Sequence, residues 1–355
     1  MQETAGGDML PQPFGPTAGV ARLRAEAADF RVSETLAFRP SGSGEHLFLR
    51  VRKTGMTTRD AADALARWLG ADARDVGYAG LKDKHAVTEQ WFSLPTTATP
   101  GAGPVPGVDG LEVLAATRNG RKLRRGALSG NRFRIRLVEV NARPAAAGRR
   151  LLALAHRGAP NYFGPQRFGI GGHNLSDARA LLDGRLRVRS RHRRGLLVSA
   201  ARSHLFNRVL AERVRRGCWD RALPGELLML EGSHSVFPAE RENEATLGAR
   251  LRRMDLHPTG PLPGRGGALP GGEAGALEDA VLEPEQTLVE GLNGFGVSGM
   301  RRALRVRVAL LKWYWPAPRT LEIGFQLPAG AYATAVLGAV FDLVGSPAED
   351  APEAA

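Results

Sequence analysis

Residues 77–92 read Gly-Tyr-Ala-Gly-Leu-Lys-Asp-Lys-His-Ala-Val-Thr-Glu-Gln-Trp-Phe and set one carboxylate, Asp83, between Lys82 and Lys84 in a glycine-punctuated turn before a strand-like run. Flanking cations favour the ionised form of an acid, and they attract a polyanion. A lone carboxylate so placed suits a nucleophile or general base working on a nucleic acid. A solvated surface turn carries the same letters, so the rest of the chain has to decide. Seven basic residues fall between Arg121 and Arg136, where Phe133, Ile135 and Leu137 alternate with Arg132, Arg134 and Arg136. That alternation predicts a half-buried strand with a cationic outer face. Asn131 and Phe133 offer an amide and a ring able to hold an unpaired base; read alone, they equally suit a turn and a core position. Arg185, Arg187, Arg189 and Arg191 recur at period two in a further cationic segment.

Other chemistries fit poorly. Gly294, Gly296 and Gly299 match the outline of a dinucleotide fingerprint, with Glu322 some distance on. The preceding residues 287–292 make a weak strand, and too little chain follows for a doubly wound nucleotide domain. We read this segment as a glycine-rich turn before an arginine-rich helix. The eight histidines are scattered without metal-ligand spacing, and no G-x-S-x-G elbow or P-loop is present. The single cysteine, Cys218, excludes an internal disulfide and a cysteine-based zinc site, and fits a reducing cytoplasm.

The elements that must position Asp83 follow from periodicity. Residues 21–38 form a strand-rich start, and in 46–52 Leu47, Leu49 and Val51 face one way. Thr57 and Asp60 open a helix whose stripe is Ala62, Leu65, Trp68 and Leu69, ending at Gly70. Residues 145–156 and 198–215 read as helices, 95–110 and 258–275 as proline- and glycine-rich loops, and 331–343 as a final buried helix. Short strands mixed with helices, without a regular βαβ rhythm, predict an α+β fold with a substantially antiparallel sheet.

The 355-residue chain is long for one core and suggests two domains. Its formal net charge of +13 suits a nucleic-acid partner, although only five of the 49 basic residues are lysine. No signal peptide or membrane span is legible.

Read in order, these segments resemble the TruD family of tRNA pseudouridine synthases nearly end to end. The resemblance is carried by Asp29-Phe30-Arg31-Val32, residues 77–92, 122–133 and 160–169, Ser199-Ala200-Ala201-Arg202-Ser203 with Phe206-Asn207, and residues 327–334. It implies isomerisation of uridine to pseudouridine in RNA, usually uridine 13 of certain tRNAs, without cofactor or metal. It implies a pseudouridine synthase core with a mixed, largely antiparallel sheet over 1–157 and 307–345 and a family-specific α/β insertion domain over 158–306; the polar composition of 346–355 predicts a disordered tail. Asp83 takes the place of the catalytic acid, with Arg24 as its cationic partner. Phe30, Asn131 and Tyr332 fall at the nucleotide pocket, with Phe133 stacking on or packing beneath the base. Tyr332 stands where relatives often carry Phe, which keeps the ring and adds a hydroxyl. RNA backbone contacts are expected from Lys82, Lys84, Arg121, Lys122, Arg124, Arg187 and Arg189, with Lys82 and Lys84 serving either phosphate or the turn itself. The expected protein is a cytoplasmic monomer acting on tRNA. The alternatives are a non-catalytic RNA-binding or RNA-folding module, a synthase acting mainly on another RNA, and the dinucleotide oxidoreductase outlined by the glycines.

Overall fold

The computed structural model describes residues 10–345; the tail expected to be disordered lies outside them. Alternating apolar and polar residues build the strands of the first stretch. These are β1 (Gly19–Leu23), β2 (Phe30–Leu36), β3 (His46–Lys53), β4 (Gly77–Tyr78), β5 (Val87–Pro95), β6 (Gly103–Pro104), β7 (Leu111–Asn119) and β8 (Leu128–Ala142). Helix α1 (Thr58–Leu69) opens on a reciprocal cap. The Thr57 hydroxyl accepts from the Asp60 N–H at 3.0 Å, and the Asp60 carboxylate accepts from the Thr57 N–H at 3.1 Å. It ends at Gly70, whose φ of 65° lies in the left-handed region. Helix α2 (Pro144–Arg157) begins with proline at its first position.

The chain then leaves the first sheet. It forms β9 (Ala159–Pro160), α3 (His173–Leu182), α4 (Arg191–Arg215), β10 (Leu227–Leu230), β11 (Val236–Pro238), α5 (Glu244–Arg252), β12 (Leu256–Leu262), α6 (Gly272–Leu282), α7 (Gln286–Gly294), β13 (Met300–Ala303) and β14 (Arg305–Val306). Strands β11, β10, β12 and β13 make a separate antiparallel sheet in that order. Strands β9 and β14 pair antiparallel, Ala159 opposite Val306, so the chain enters and leaves this region through one two-stranded neck.

It returns as the hairpin β15 (Ala309–Ala317) and β16 (Thr320–Pro328), helix α8 (Ala333–Gly338) and β17 (Asp342–Val344). The large sheet runs β15-β16-β8-β2-β5-β3-β7-β6, with β1, β4 and β17 attached beside it. Among the described residues, β2–β5 and β1–β17 are the parallel strand pairs of this sheet. The sheet is therefore mixed and largely antiparallel, and the α+β expectation holds. Two apolar clusters lie on its helix-bearing face. One joins β8 and β16 to α2 and α8 through Ile135, Ile323, Leu151 and Val336; the other joins β3, β5 and β7 to α1 through Leu49, Phe92, Val113 and Leu65. Where the clusters meet, at β2 and β5, buried polar residues replace the apolar ones.

Five element expectations are corrected. Residues 258–275 are not a flexible loop. Their first part belongs to β12, which is buried along nearly its whole length, and their last part begins α6. Gly260 is required there by contact, since a Cβ would lie 2.8 Å from Leu304 Cδ2 and 3.1 Å from the Phe206 ring. Residues 287–292 lie in a helix, and the glycine-rich turn leads into strand β13 rather than a helix. That strand is fixed by Arg301, whose fork holds the buried Glu278 at 2.5 and 2.8 Å. The final helix is only six residues, because Phe341 and its neighbours leave it to pair β17 with β1. Helix α4 starts at Arg191, capped by the Ser190 hydroxyl, and so absorbs the end of the period-two arginines.

Candidate active site

Asp83 sits in the turn between β4 and β5, and its Oδ1 accepts from the His85 N–H at 2.9 Å. That bond closes an Asx turn. Oδ2 meets Arg24 Nη2 at 2.5 Å. Arg24 is almost wholly buried, with only 6% of its side chain exposed, while Asp83 keeps 22%. The acid is thus the accessible member of the pair. Arg24 adopts a φ of 59°, unusual for a side-chain-bearing residue, just after β1. Its guanidinium lies over the Phe30 ring, 4.3 Å from the centroid. A charge-assisted bond at this distance fixes the position of the carboxylate.

The backbone of the turn is held from beneath by side chains that the sequence reading did not single out. Lys53, at the end of β3 and wholly buried, donates Nζ to the carbonyl oxygens of Met56 at 2.6 Å and Asp83 at 2.9 Å. Thr58, in the first turn of α1, accepts from the Lys82 N–H at 2.9 Å and donates to Gln90 Oε1 at 3.1 Å. Gln90 returns a bond to the Gly80 carbonyl at 3.3 Å. Glu34 accepts from Lys82 Nζ at 2.8 Å and from the Trp91 N–H at 3.0 Å. Buried polar groups cost stability unless bonded, so a network satisfied in this way also fixes the loop geometry.

This arrangement corrects one expectation. Lys82 is no RNA-backbone contact: only 7% of its side chain is exposed, and its ammonium is committed to Glu34. It serves the turn. Lys84 is exposed, as are Arg121 and Arg124. Lys122 is half-buried and reaches back to the Arg74 carbonyl at 3.1 Å. Arg187 and Arg189 are exposed on an irregular segment before α4, apart from any strand.

The pocket candidates fall on adjacent strands. Along the ladder Val32 pairs with Phe133 and Glu34 with Asn131, while Phe325 and Leu327 flank them from β16. Asn131 Oδ1 is buried with no hydrogen-bond partner among the described residues. An orphaned amide oxygen of this kind costs free energy until something donates to it. The Phe133 ring stacks on Phe325 at 5.2 Å and meets Phe30 edge-on at 6.1 Å. Phe133 is buried in these contacts. Tyr332 caps α8, and its hydroxyl accepts from Arg167 Nη2 at 3.2 Å. The cationic outer face of β8 is the opposite face of the sheet. A groove of about 820 Å³ runs along it, lined by Arg31, Arg52, Arg132, Arg134 and Lys312, and neither Asp83 nor Arg24 borders it.

A mixed sheet with a carboxylate turn at its centre, and a separate four-stranded sheet reached through the β9–β14 pair, are the features against which known proteins are compared. The family model for tRNA pseudouridine synthase D (TruD) matches residues 16–187 and 173–340. The tRNA pseudouridine synthase D of Azotobacter vinelandii is 47% identical over 335 residues, covering 94% of this chain and 94% of that protein. The Hydrogenovibrio crunogenus protein of the same name is 43% identical, covering 93% of this chain and 95% of its own. A crystal structure of a TruD protein from Methanosarcina mazei superposes with a TM-score of 0.73 at 21% identity, covering 93% of this chain and 95% of that one. The chain belongs to the TruD family.

Proposed function

We propose that this protein isomerises uridine to pseudouridine in tRNA, at uridine 13, with Asp83 as the reacting carboxylate. The observation that carries the reading is the partly exposed Asp83 held against a buried Arg24 in a turn whose backbone is pinned by Lys53, Thr58 and Gln90. The reaction breaks the bond between the base N1 and the ribose C1′ and forms one between C5 and C1′. The proton leaves C5 and N1 gains one, so nothing enters or leaves overall. A carboxylate serves this by attacking C1′ or by taking the 2′ proton, and both demand an ionised acid aimed at the ribose. The uridine must leave the stack to reach it, at a cost of a few kcal/mol offset inside the pocket. Asn131, with its unsatisfied oxygen, suits the donor on the uracil edge, and Phe30 and Tyr332 supply apolar walls. In this reading residues 158–306 form an inserted domain and the flanking segments the catalytic core, a division supported by the β9–β14 neck.

The test is to map pseudouridine in cellular tRNA with and without the protein. Loss at uridine 13, restored by the wild-type gene, is the expected result. Loss confined to another RNA moves the substrate, and no loss anywhere leaves an RNA-binding module. Arg24→Ala is expected to slow conversion about 10–100-fold, because a carboxylate that has lost its 2.5 Å partner is worse aimed. Unchanged single-turnover rates in that variant would remove Arg24 from the site.

A further inference from the structure

One aromatic ring at the junction of the two regions is gripped by two guanidinium groups. The central carbon of Arg302 lies 4.1 Å from the Phe163 ring centroid, and that of Arg167 lies 5.3 Å from it. Phe163 itself is clamped by Asn207 of α4, which accepts from its N–H and donates to its carbonyl, both at 2.9 Å. The arginines are held only by uncharged acceptors. Arg167 donates to the Ser199 hydroxyl and the Tyr332 hydroxyl, each at 3.2 Å. Arg302 donates to Asn161 Oδ1 at 2.6 Å and the Gly330 carbonyl at 3.1 Å. The Nε atoms of both are buried without a hydrogen-bond partner among the described residues.

Two other enclosed arginines, Arg213 and Arg301, are each neutralised by a carboxylate, while Arg305 is saturated instead by His257 Nδ1 and the carbonyls of Leu251 and Leu256. Arg213 meets Glu226 at 2.7 Å, and Arg301, next to Arg302 in sequence, meets Glu278 at 2.5 Å. Among the described residues neither Arg167 nor Arg302 has a carboxylate partner. Burial first, and then the nearby Arg167 charge, pull the Arg302 pKa down to about 10. Two like charges packed on one ring without an anion are unfavourable by themselves.

We propose that Arg167 and Arg302 form the seat of one RNA phosphate, beside Tyr332. This rests on the tRNA reading above. Planar guanidinium forks match phosphate oxygens, and the Tyr332 hydroxyl ties the seat to a wall of the nucleotide pocket. The phosphate is therefore that of the flipped uridine or its immediate neighbour. Phe163, held by Asn207, supplies the rigid plate that keeps both cations in place before RNA arrives, which lowers the ordering cost of binding. The rival account is that the arginines serve only as packing on Phe163.

The experiment measures affinity for a tRNA transcript across a salt series for wild type, Arg167→Gln, Arg167→Lys and Arg302→Gln. Losing one phosphate contact should flatten the log–log salt slope by about 0.7–0.9 and weaken binding roughly tenfold at low salt in each Gln variant, with Arg167→Lys keeping most of the slope. A packing role predicts a lower Tm with an unchanged slope, and that result overturns the proposal. Should Arg302→Gln fail to fold, wild type and Arg167→Gln are compared on RNA carrying single methylphosphonate linkages around the target. One neutral linkage should weaken wild type and add little to Arg167→Gln; no linkage-specific effect overturns the seat. Wild-type conversion of the same tRNA is scored in parallel. Conversion with unchanged slopes sinks only the seat, whereas flattened slopes without conversion sink only the catalytic reading.

Discussion

Asp83→Asn should lower pseudouridine formation at least about 10³-fold, read as release of tritium from C5-labelled uridine. The substitution is nearly isosteric. An amide oxygen can still accept from the His85 N–H, so the Asx turn survives. What disappears is the charge facing Arg24, which keeps its stack on Phe30. Binding of tRNA should be equal or tighter, because a negative charge has been removed from a surface that meets phosphates. Product formation within tenfold of wild type would sink the role of Asp83. Loss of activity together with loss of RNA binding would point to a disturbed fold instead.

The second large effect is expected from Lys53→Met. The thioether matches the length of the lysine stem but donates nothing, leaving the Met56 and Asp83 carbonyls facing an apolar group. Each buried carbonyl so stranded costs about 1–3 kcal/mol. The carbonyl most affected belongs to Asp83 itself, and misplacement of a reacting group by about 1 Å can cost ~10²-fold. We expect turnover to fall by about that factor, with KM for tRNA within a few-fold of wild type and a lower Tm. A variant that melts early yet turns over normally would make Lys53 a purely structural residue.

Much of this was legible in the sequence. The capped helix at Thr57, the alternation of β8 and the exposed turn at Asp83 all follow from local patterns that packing did not override. The polar cradle was legible too, but it required carrying the period-two pattern one step beyond its apolar members. Leu47, Leu49 and Val51 face inward, so Lys53 must as well; Phe30 and Val32 do the same for Glu34. A charged residue at the end of an apolar face reads as the point where a strand leaves the core, and here it is the reverse. Lys82 was misplaced for a related reason, since a lysine beside an accessible carboxylate looks like a phosphate ligand until its own carboxylate partner, 48 residues away, is known. Residues 258–275 failed for a different reason. Proline and glycine signalled a loop, but β12 is a strand whose glycine is set by contact with α4, and only tertiary structure reveals that neighbour. Arg167 and Arg302 come together from segments far apart in the chain, with no local signature.

The neck of β9 and β14 bears on how the molecule folds. Strands β8 and β16 are central neighbours, yet the paired Arg134 and Glu322 stand 188 positions apart. Bringing such distant segments together from an open coil is slow, because the closure entropy is spent before any contact rewards it. A region that first folds on its own terms, with its two ends already side by side, shortens that search to the chain between each strand and the neck. The order of assembly should then run from the inside of the sequence outward, with β16 docking on β8 last. Pulse-labelled hydrogen exchange would read it directly, as protection of α4 and β12 ahead of β16.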